Sequence, residues 1–200
     1  MEALENVYAG WRKKLMRYIA DTVDFELKEP TVVTLGKFDG RHRGHQKLLR
    51  TMEEVKESLG YATAIFTFST APLTLVTGEI ATVLTTSEER RHNMEKMGID
   101  YLVEYPFTDD VRKMDPAVFV KDILVKRMKA KAVVVGPDCS FGYKGAGNVG
   151  LLRTLSRELD FRLYVIEKEK DHRRDISSTY IREELSRGNV AKANELLGEP

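Results

Sequence analysis

The period of the apolar positions changes several times along the chain, and each change marks an element. Leu4, Val7, Trp11, Leu15 and Ile19 recur at steps of three and four, which predicts a helix with one apolar stripe from about Ala3 to Ile19, suited to docking. Thr31 to Leu35 is a short β-branched run ending at Gly36, and a helical pattern follows from about Gly44 to Leu59. Tyr61 to Phe68 reads as a second buried strand. The stretch from Ser69 to Thr82, with Pro72 and Gly78, has no clear period and is expected to be a long loop. Thr86 and Glu89 have capping-box spacing, opening a helix to Met97 that Gly98 stops. Ile99 to Tyr105 is the next strand, and Asp115 before Pro116 signals a helix to about Met128. Ala132 to Val135, closed by Gly136, is fully apolar, as expected of a strand buried on both faces. A glycine-rich loop, a helix to Leu159, a strand from Phe161 to Ile166 and two helices, Ser178 to Ser186 and Val190 to Leu197, complete the pattern.

Strands and helices alternate from Thr31 to Ile166. This predicts an α/β fold, a mostly parallel sheet with right-handed crossovers and helices on both faces. Ligands in such sheets bind beyond the carboxyl ends of the strands.

Composition narrows the function classes. Hydrophobic residues make up 42% and charged residues 32%, so the chain has the means to bury a core. The formal net charge of +1 supplies no general field for nucleic acid or an anionic membrane, so neither is expected as a partner and any anion site must be local. Cys139 is the sole cysteine and cannot form an internal disulfide, which agrees with a reducing compartment. Met1 to Ala20 mixes charges throughout, unlike a secretory signal, and no apolar run approaches bilayer length; the cytoplasm is the expected location.

The richest chemistry lies where the first strand hands over to the first long helix, in Gly36-Lys37-Phe38-Asp39-Gly40-Arg41-His42-Arg43-Gly44-His45. Glycines let the backbone approach an anion, and the free N–H groups of a helix start favour negative charge. His42 and His45 straddle Gly44, so both can address one ligand there. No third His or Cys stands nearby to complete a zinc site, and no protein metal site is expected. A second cluster, Ile176-Ser177-Ser178-Thr179-Tyr180-Ile181-Arg182, opens a later helix with three hydroxyls and an arginine. By itself it reads equally as an N-cap beside a surface arginine or as a phosphate grip.

Gly-x-Phe-Asp-Gly-x-His-x-Gly-His resembles the signature of the bacterial FAD synthetases, in the His-x-Gly-His nucleotidylyltransferase superfamily, and Ile-Ser-Ser-Thr-x-Ile-Arg resembles the second signature of that family. The resemblance implies a Rossmann-like nucleotidylyltransferase fold and transfer of AMP from ATP to FMN, giving FAD and pyrophosphate, with Mg²⁺ bridging the phosphates. It implies ATP contacts at Gly36, Lys37, Phe38, Asp39, Gly40 and Gly136. His42 and His45 would stabilise charge at the α-phosphate, while Ser177, Ser178, Thr179 and Arg182 would grip the leaving pyrophosphate.

The stretch Gly136-Pro137-Asp138-Cys139-Ser140-Phe141-Gly142 is similar to a third family segment. With Phe68 and Pro72 it places the flavin contacts at Asp138 and Phe141, Asp138 addressing either the flavin or the nucleotide ribose. Thr70 and Ala71 replace the first two residues of a family Pro-His-Pro element, and Cys139 stands where the family has an aromatic. These departures fall on the flavin side. The resemblance divides the chain into a helical extension at 1–20, an adenylyltransferase domain at 21–187 and a helix at 188–200 that would lead to a riboflavin kinase domain absent here. No kinase activity is expected of these residues. Two other readings stand beside this one: a nucleotidylyltransferase for another phosphorylated acceptor, and a flavin- or nucleotide-binding regulatory module with weak catalysis.

Overall fold

The computed structural model describes residues 15–69 and 82–198. Most of the predicted first helix, and Thr70, Ala71 and Pro72, lie outside the described residues.

Six parallel strands form one sheet: β1 (Arg17–Ala20), β2 (Thr31–Leu35), β3 (Ala62–Phe68), β4 (Tyr101–Tyr105), β5 (Ala130–Val135) and, after two short strands, β8 (Arg162–Val165), in the spatial order β1-β4-β3-β2-β5-β8. The short strands β6 (Ser140–Phe141) and β7 (Gly147–Asn148) pair antiparallel in the loop after β5. From β2 the chain winds outward through β3 and β4, then returns to lay β5 against the other side of β2. That reversal falls between β2 and β5, and the carboxyl ends of the strands at such a switch point are the place where such sheets take ligands.

Helices cover both faces. Helix α1 (Arg43–Leu59) lays Leu48, Leu49, Met52 and Val55 against Val32 and Ile65, and α2 (Ser87–Lys96) adds Met94. Thr86 and Glu89 form the expected capping box. On the opposite face, after a single turn α3 (Asp109–Arg112), Asp115 caps α4 (Pro116–Val118). That turn runs into a π-helix, Phe119–Arg127, which buries Phe119, Val120, Ile123 and Leu124. Helix α5 (Val149–Glu158) packs beside it through Leu152 and Leu155. The apolar spacing predicted this segment as one regular helix to Met128. The wider turn at its end is pinned because Leu27 N–H and Thr31 Oγ donate to the carbonyls of Arg127 and Met128.

One expectation is corrected. Residues 17–20 continue no helix; they are the edge strand β1, paired with β4 and held by a 2.6 Å hydrogen bond from Tyr18 Oη to the buried Glu104. Sheet pairing overrides the helical spacing that Leu15 and Ile19 suggest. The polar run after β8 also holds an unpredicted hairpin, β9 (Lys170–Asp171) with β10 (Arg174–Asp175), before the closing helices α6 (Ser178–Ser186) and α7 (Val190–Leu197). Among the described residues no helix is long and apolar enough to cross a membrane.

Candidate active site

The turn from β2 into α1 is built around two glycines and one strained aromatic. Phe38 has φ of +49°, an unusual conformation for a bulky residue, and its buried ring packs 4.9 Å from that of His45. Gly40 has φ of +76°, and a Cβ there would meet Leu84 at 2.8 Å. At Gly44 a Cβ would come within 3.2 Å of the His42 ring and 3.7 Å of the Ile176 carbonyl, so the helix start approaches the second cluster closely.

His42 is the N-cap of α1. Its Nδ1 accepts from the His45 N–H at 3.3 Å, which leaves the proton of the neutral ring on Nε2, a donor for a ligand. His45 uses Nδ1 differently, donating to the Gly40 carbonyl at 2.7 Å, so its Nε2 donates only when the ring is protonated. The rings stack with centroids 3.7 Å apart. Burial, then the neighbouring His45, pushes the His42 pKa down to about 3, and burial likewise lowers that of His45 against the opposing pull of the Gly40 hydrogen bond and the Asp39 charge. Both rings are neutral near pH 7. An arriving polyanion would favour protonation of both, because opposite charge nearby stabilises the charged form.

The second cluster meets the first directly. Ser178 Oγ donates to the Asp39 carbonyl at 2.6 Å, and Arg182 Nη1 donates to Asp39 Oδ2 at 2.5 Å. Ser177 caps α6 by accepting from the Tyr180 N–H, which keeps its own hydroxyl proton for another acceptor, and Thr179 is exposed beside it. Lys37 is exposed on the same turn, and Gly36 donates its N–H to the Phe66 carbonyl. Thus His42, His45, Ser177, Ser178, Thr179 and Arg182 gather around the start of α1 and α6.

Sequence spacing gave no hint of Leu84 and Thr85, whose N–H groups both donate to Asp39 Oδ1 and whose Thr85 Oγ accepts from Gly40 N–H. Nor did it reveal Glu169, which pairs with Lys47 at 3.0 Å and Arg43 at 3.7 Å and whose carboxyl Lys47 holds below the usual range.

The residues expected on the flavin side are less tightly joined. Gly136 opens the turn carrying Asp138, whose carboxylate is ion-paired with Lys168 at 2.9 Å; Lys168 also reaches Asp175 at 3.0 Å. These groups line a cleft of about 700 Å³ with Pro137, Glu167 and Lys170 beyond the ends of β5 and β8. Phe68 meets Phe107 edge to face at 4.9 Å. Phe141 is buried, 5.6 Å from Phe119, with its ring against Gly147. Burial, then Asp138, pushes the Cys139 thiol up to about 12, so it is protonated near neutral pH.

Comparison with known proteins agrees with this geometry. The family model described as FAD synthetase matches residues 24–180. The chain is 33% identical to a bifunctional riboflavin kinase/FMN adenylyltransferase of Listeria monocytogenes, over 84% of this chain and 54% of that protein. It is 36% identical to an FAD synthetase of the same organism, over 84% of this chain and 69% of the relative. The chain thus spans about half the length of the bifunctional relatives it matches. Among solved structures, one titled macrolide-efflux protein from Streptococcus pneumoniae superposes with a TM-score of 0.79 at 26% identity, covering 93% of this chain and 63% of that one. A pantoate-beta-alanine ligase from Francisella tularensis shares the fold, at a TM-score of 0.55 and 14% identity over 92% of this chain and 78% of the ligase. With the two signatures joined through Ser178 and Asp39 and the family model matching residues 24–180, the chain belongs to the FAD synthetase family.

Proposed function

We propose that this chain transfers the AMP of ATP to the phosphate of FMN, yielding FAD and pyrophosphate, and that it does so in the cytoplasm. The observation that carries the reading is the hydrogen bond from Ser178 Oγ to the Asp39 carbonyl, which brings two signatures distant in sequence to one point.

A terminal oxygen of the FMN phosphate attacks the α-phosphorus of ATP. The new P–O bond forms as the bond to the bridging oxygen breaks, and its electrons leave with pyrophosphate. The nucleophile is already anionic near neutral pH, so the protein supplies position and charge stabilisation instead of a strong base. His42, whose Nδ1 is taken by the His45 N–H so that its neutral ring carries the proton on Nε2, donates to the α-phosphate. His45 gains the same capacity when the anion draws a proton onto its Nε2. Ser177, Thr179 and Arg182 address the leaving phosphates from the start of α6, whose N–H groups and dipole favour negative charge, while Ser178, its hydroxyl proton given to the Asp39 carbonyl, fixes that helix start against the first signature.

Among the described residues no group of three His, Cys, Asp or Glu side chains is placed to hold a metal ion. The donor set suits phosphate and not a cation, so Mg²⁺ belongs to this reading as part of the nucleotide substrate, where it neutralises phosphate charge. On the acceptor side, Asp138 and Phe68 are the rim residues available to FMN or to the ribose, and Pro72 is assigned to the flavin from sequence alone.

The test is turnover with ATP, Mg²⁺ and a panel of phosphorylated acceptors, followed by pyrophosphate release and product chromatography. FAD formation dependent on FMN is the expected result. Pyrophosphate release with another acceptor and none with FMN would overturn the acceptor, and nucleotide binding without any turnover would overturn catalysis.

A further inference from the structure

Asp39 belongs to the first signature, and both its carboxylate oxygens and its main-chain carbonyl are engaged by other segments of the chain. Oδ1 accepts from the Leu84 N–H at 2.7 Å and the Thr85 N–H at 3.1 Å, Oδ2 accepts from Arg182, and the main-chain carbonyl accepts from Ser178. The side chain is 15% exposed. A carboxylate beside a triphosphate would repel it unless its charge were already spent, and here one guanidinium and two N–H groups spend it.

The contact to Arg182 runs through Nη1 alone. A guanidinium carries five donors in a rigid fork, so an end-on pair leaves its remaining edge able to take a second oxyanion. The Arg182 side chain is one-third exposed, and among the described residues its guanidinium has no other partner.

We propose that Asp39 is a positioning residue that never touches the nucleotide and holds Arg182 end-on, presenting the free guanidinium edge to the leaving phosphates; this rests on the nucleotidyl-transfer reading above. A long flexible side chain loses rotamer freedom when it grips a ligand, and fixing it beforehand lowers that cost. The same carboxylate holds the backbone at Leu84 and Thr85, so one side chain joins the turn after β2, the approach to α2 and the start of α6.

The experiment is calorimetric titration of ATP and of pyrophosphate into the wild-type chain, Asp39→Asn, Arg182→Ala and the double variant, with melting temperatures recorded. Asp39→Asn keeps a side-chain oxygen for Leu84 and Thr85 and removes the charge that holds Arg182. Each single substitution should weaken both ligands roughly tenfold or more, the scale for a lost charged hydrogen bond. The double variant should bind no more weakly than Arg182→Ala, because Asp39 acts only through that arginine. Effects that multiply in the double variant would overturn the proposal while leaving the nucleotide reading intact. Absence of ATP binding to the wild type would overturn that reading and the proposal with it. Should Asp39→Asn fail to fold, Arg182→Lys decides: it keeps the charge beside Asp39 but withdraws the free edge. Binding as weak as in Arg182→Ala supports the proposal, and binding at wild-type strength overturns it.

Discussion

Around the starts of α1 and α6, the proposed phosphate end, the candidate residues bond to one another: His42 to the His45 backbone, His45 to Gly40, Ser178 and Arg182 to Asp39. Toward the other end they are held by neighbours with no assigned role, Asp138 by Lys168, Phe68 by Phe107, and Phe141 by Phe119. The proposed phosphate end is therefore cross-linked within the protein, the arrangement that preorganised donors require. The proposed acceptor end presents Asp138 and Asp175 paired with Lys168, the half-buried rings of Phe68 and Phe107, and the buried ring of Phe141.

The strongest test of that contrast is Phe141→Ala. If the ring is core packing, as its burial against Phe119 and Gly147 indicates, the substitution should cost about 3–5 kcal/mol of stability in denaturant unfolding, with FMN affinity of the folded protein little changed. Unchanged stability with a selective loss of FMN binding would move Phe141 into the flavin site. His45→Ala comes next, and should lower turnover by about 10² to 10³, the scale for one electrostatic stabiliser, while the fold persists. A full turnover rate in a correctly folded variant would remove His45 from the chemistry.

The third test uses acid. The His42 pKa falls from the ordinary 6.5 to about 3 on folding, so between those values the unfolded chain binds more protons than the folded one. The stability contributed by keeping this ring neutral is complete above pH 6.5 and is lost as pH falls toward 3. His42→Asn retains an N-cap acceptor and removes the titrating ring, so its stability should fall less steeply over that window in a series of melts. An identical slope would show that His42 is not the buried neutral group described. The smallest effect is expected from Asp138→Asn. It breaks an ion pair whose carboxylate side chain is 68% exposed, and stability should change by no more than about 1 kcal/mol. A larger loss would mean that the acceptor end is as firmly built as the phosphate end.

Much of this was legible in the residues. Each core strand of the alternating region announced itself as a β-branched or apolar run, and the capping box at Thr86 and the Asp115 cap formed as written. The edge strand β1 did not, because four residues on a sheet margin draw their conformation from pairing with β4 and not from their own periodicity. The hairpin at Lys170 to Asp175 was hidden in a charged run with no apolar alternation to mark it.

The sequence by itself determined the alternation of elements and the two signatures that name the family. Those properties are local, set by spacing and by residue type. Only the tertiary structure decided that Asp39 faces Arg182 and the backbone of Leu84 and Thr85, that Asp138 is tied to Lys168, and that the Phe141 ring turns into the core. Each of those depends on which distant segments the sheet order places side by side, and a carboxylate or a ring carries no mark in the chain of the partner it will meet.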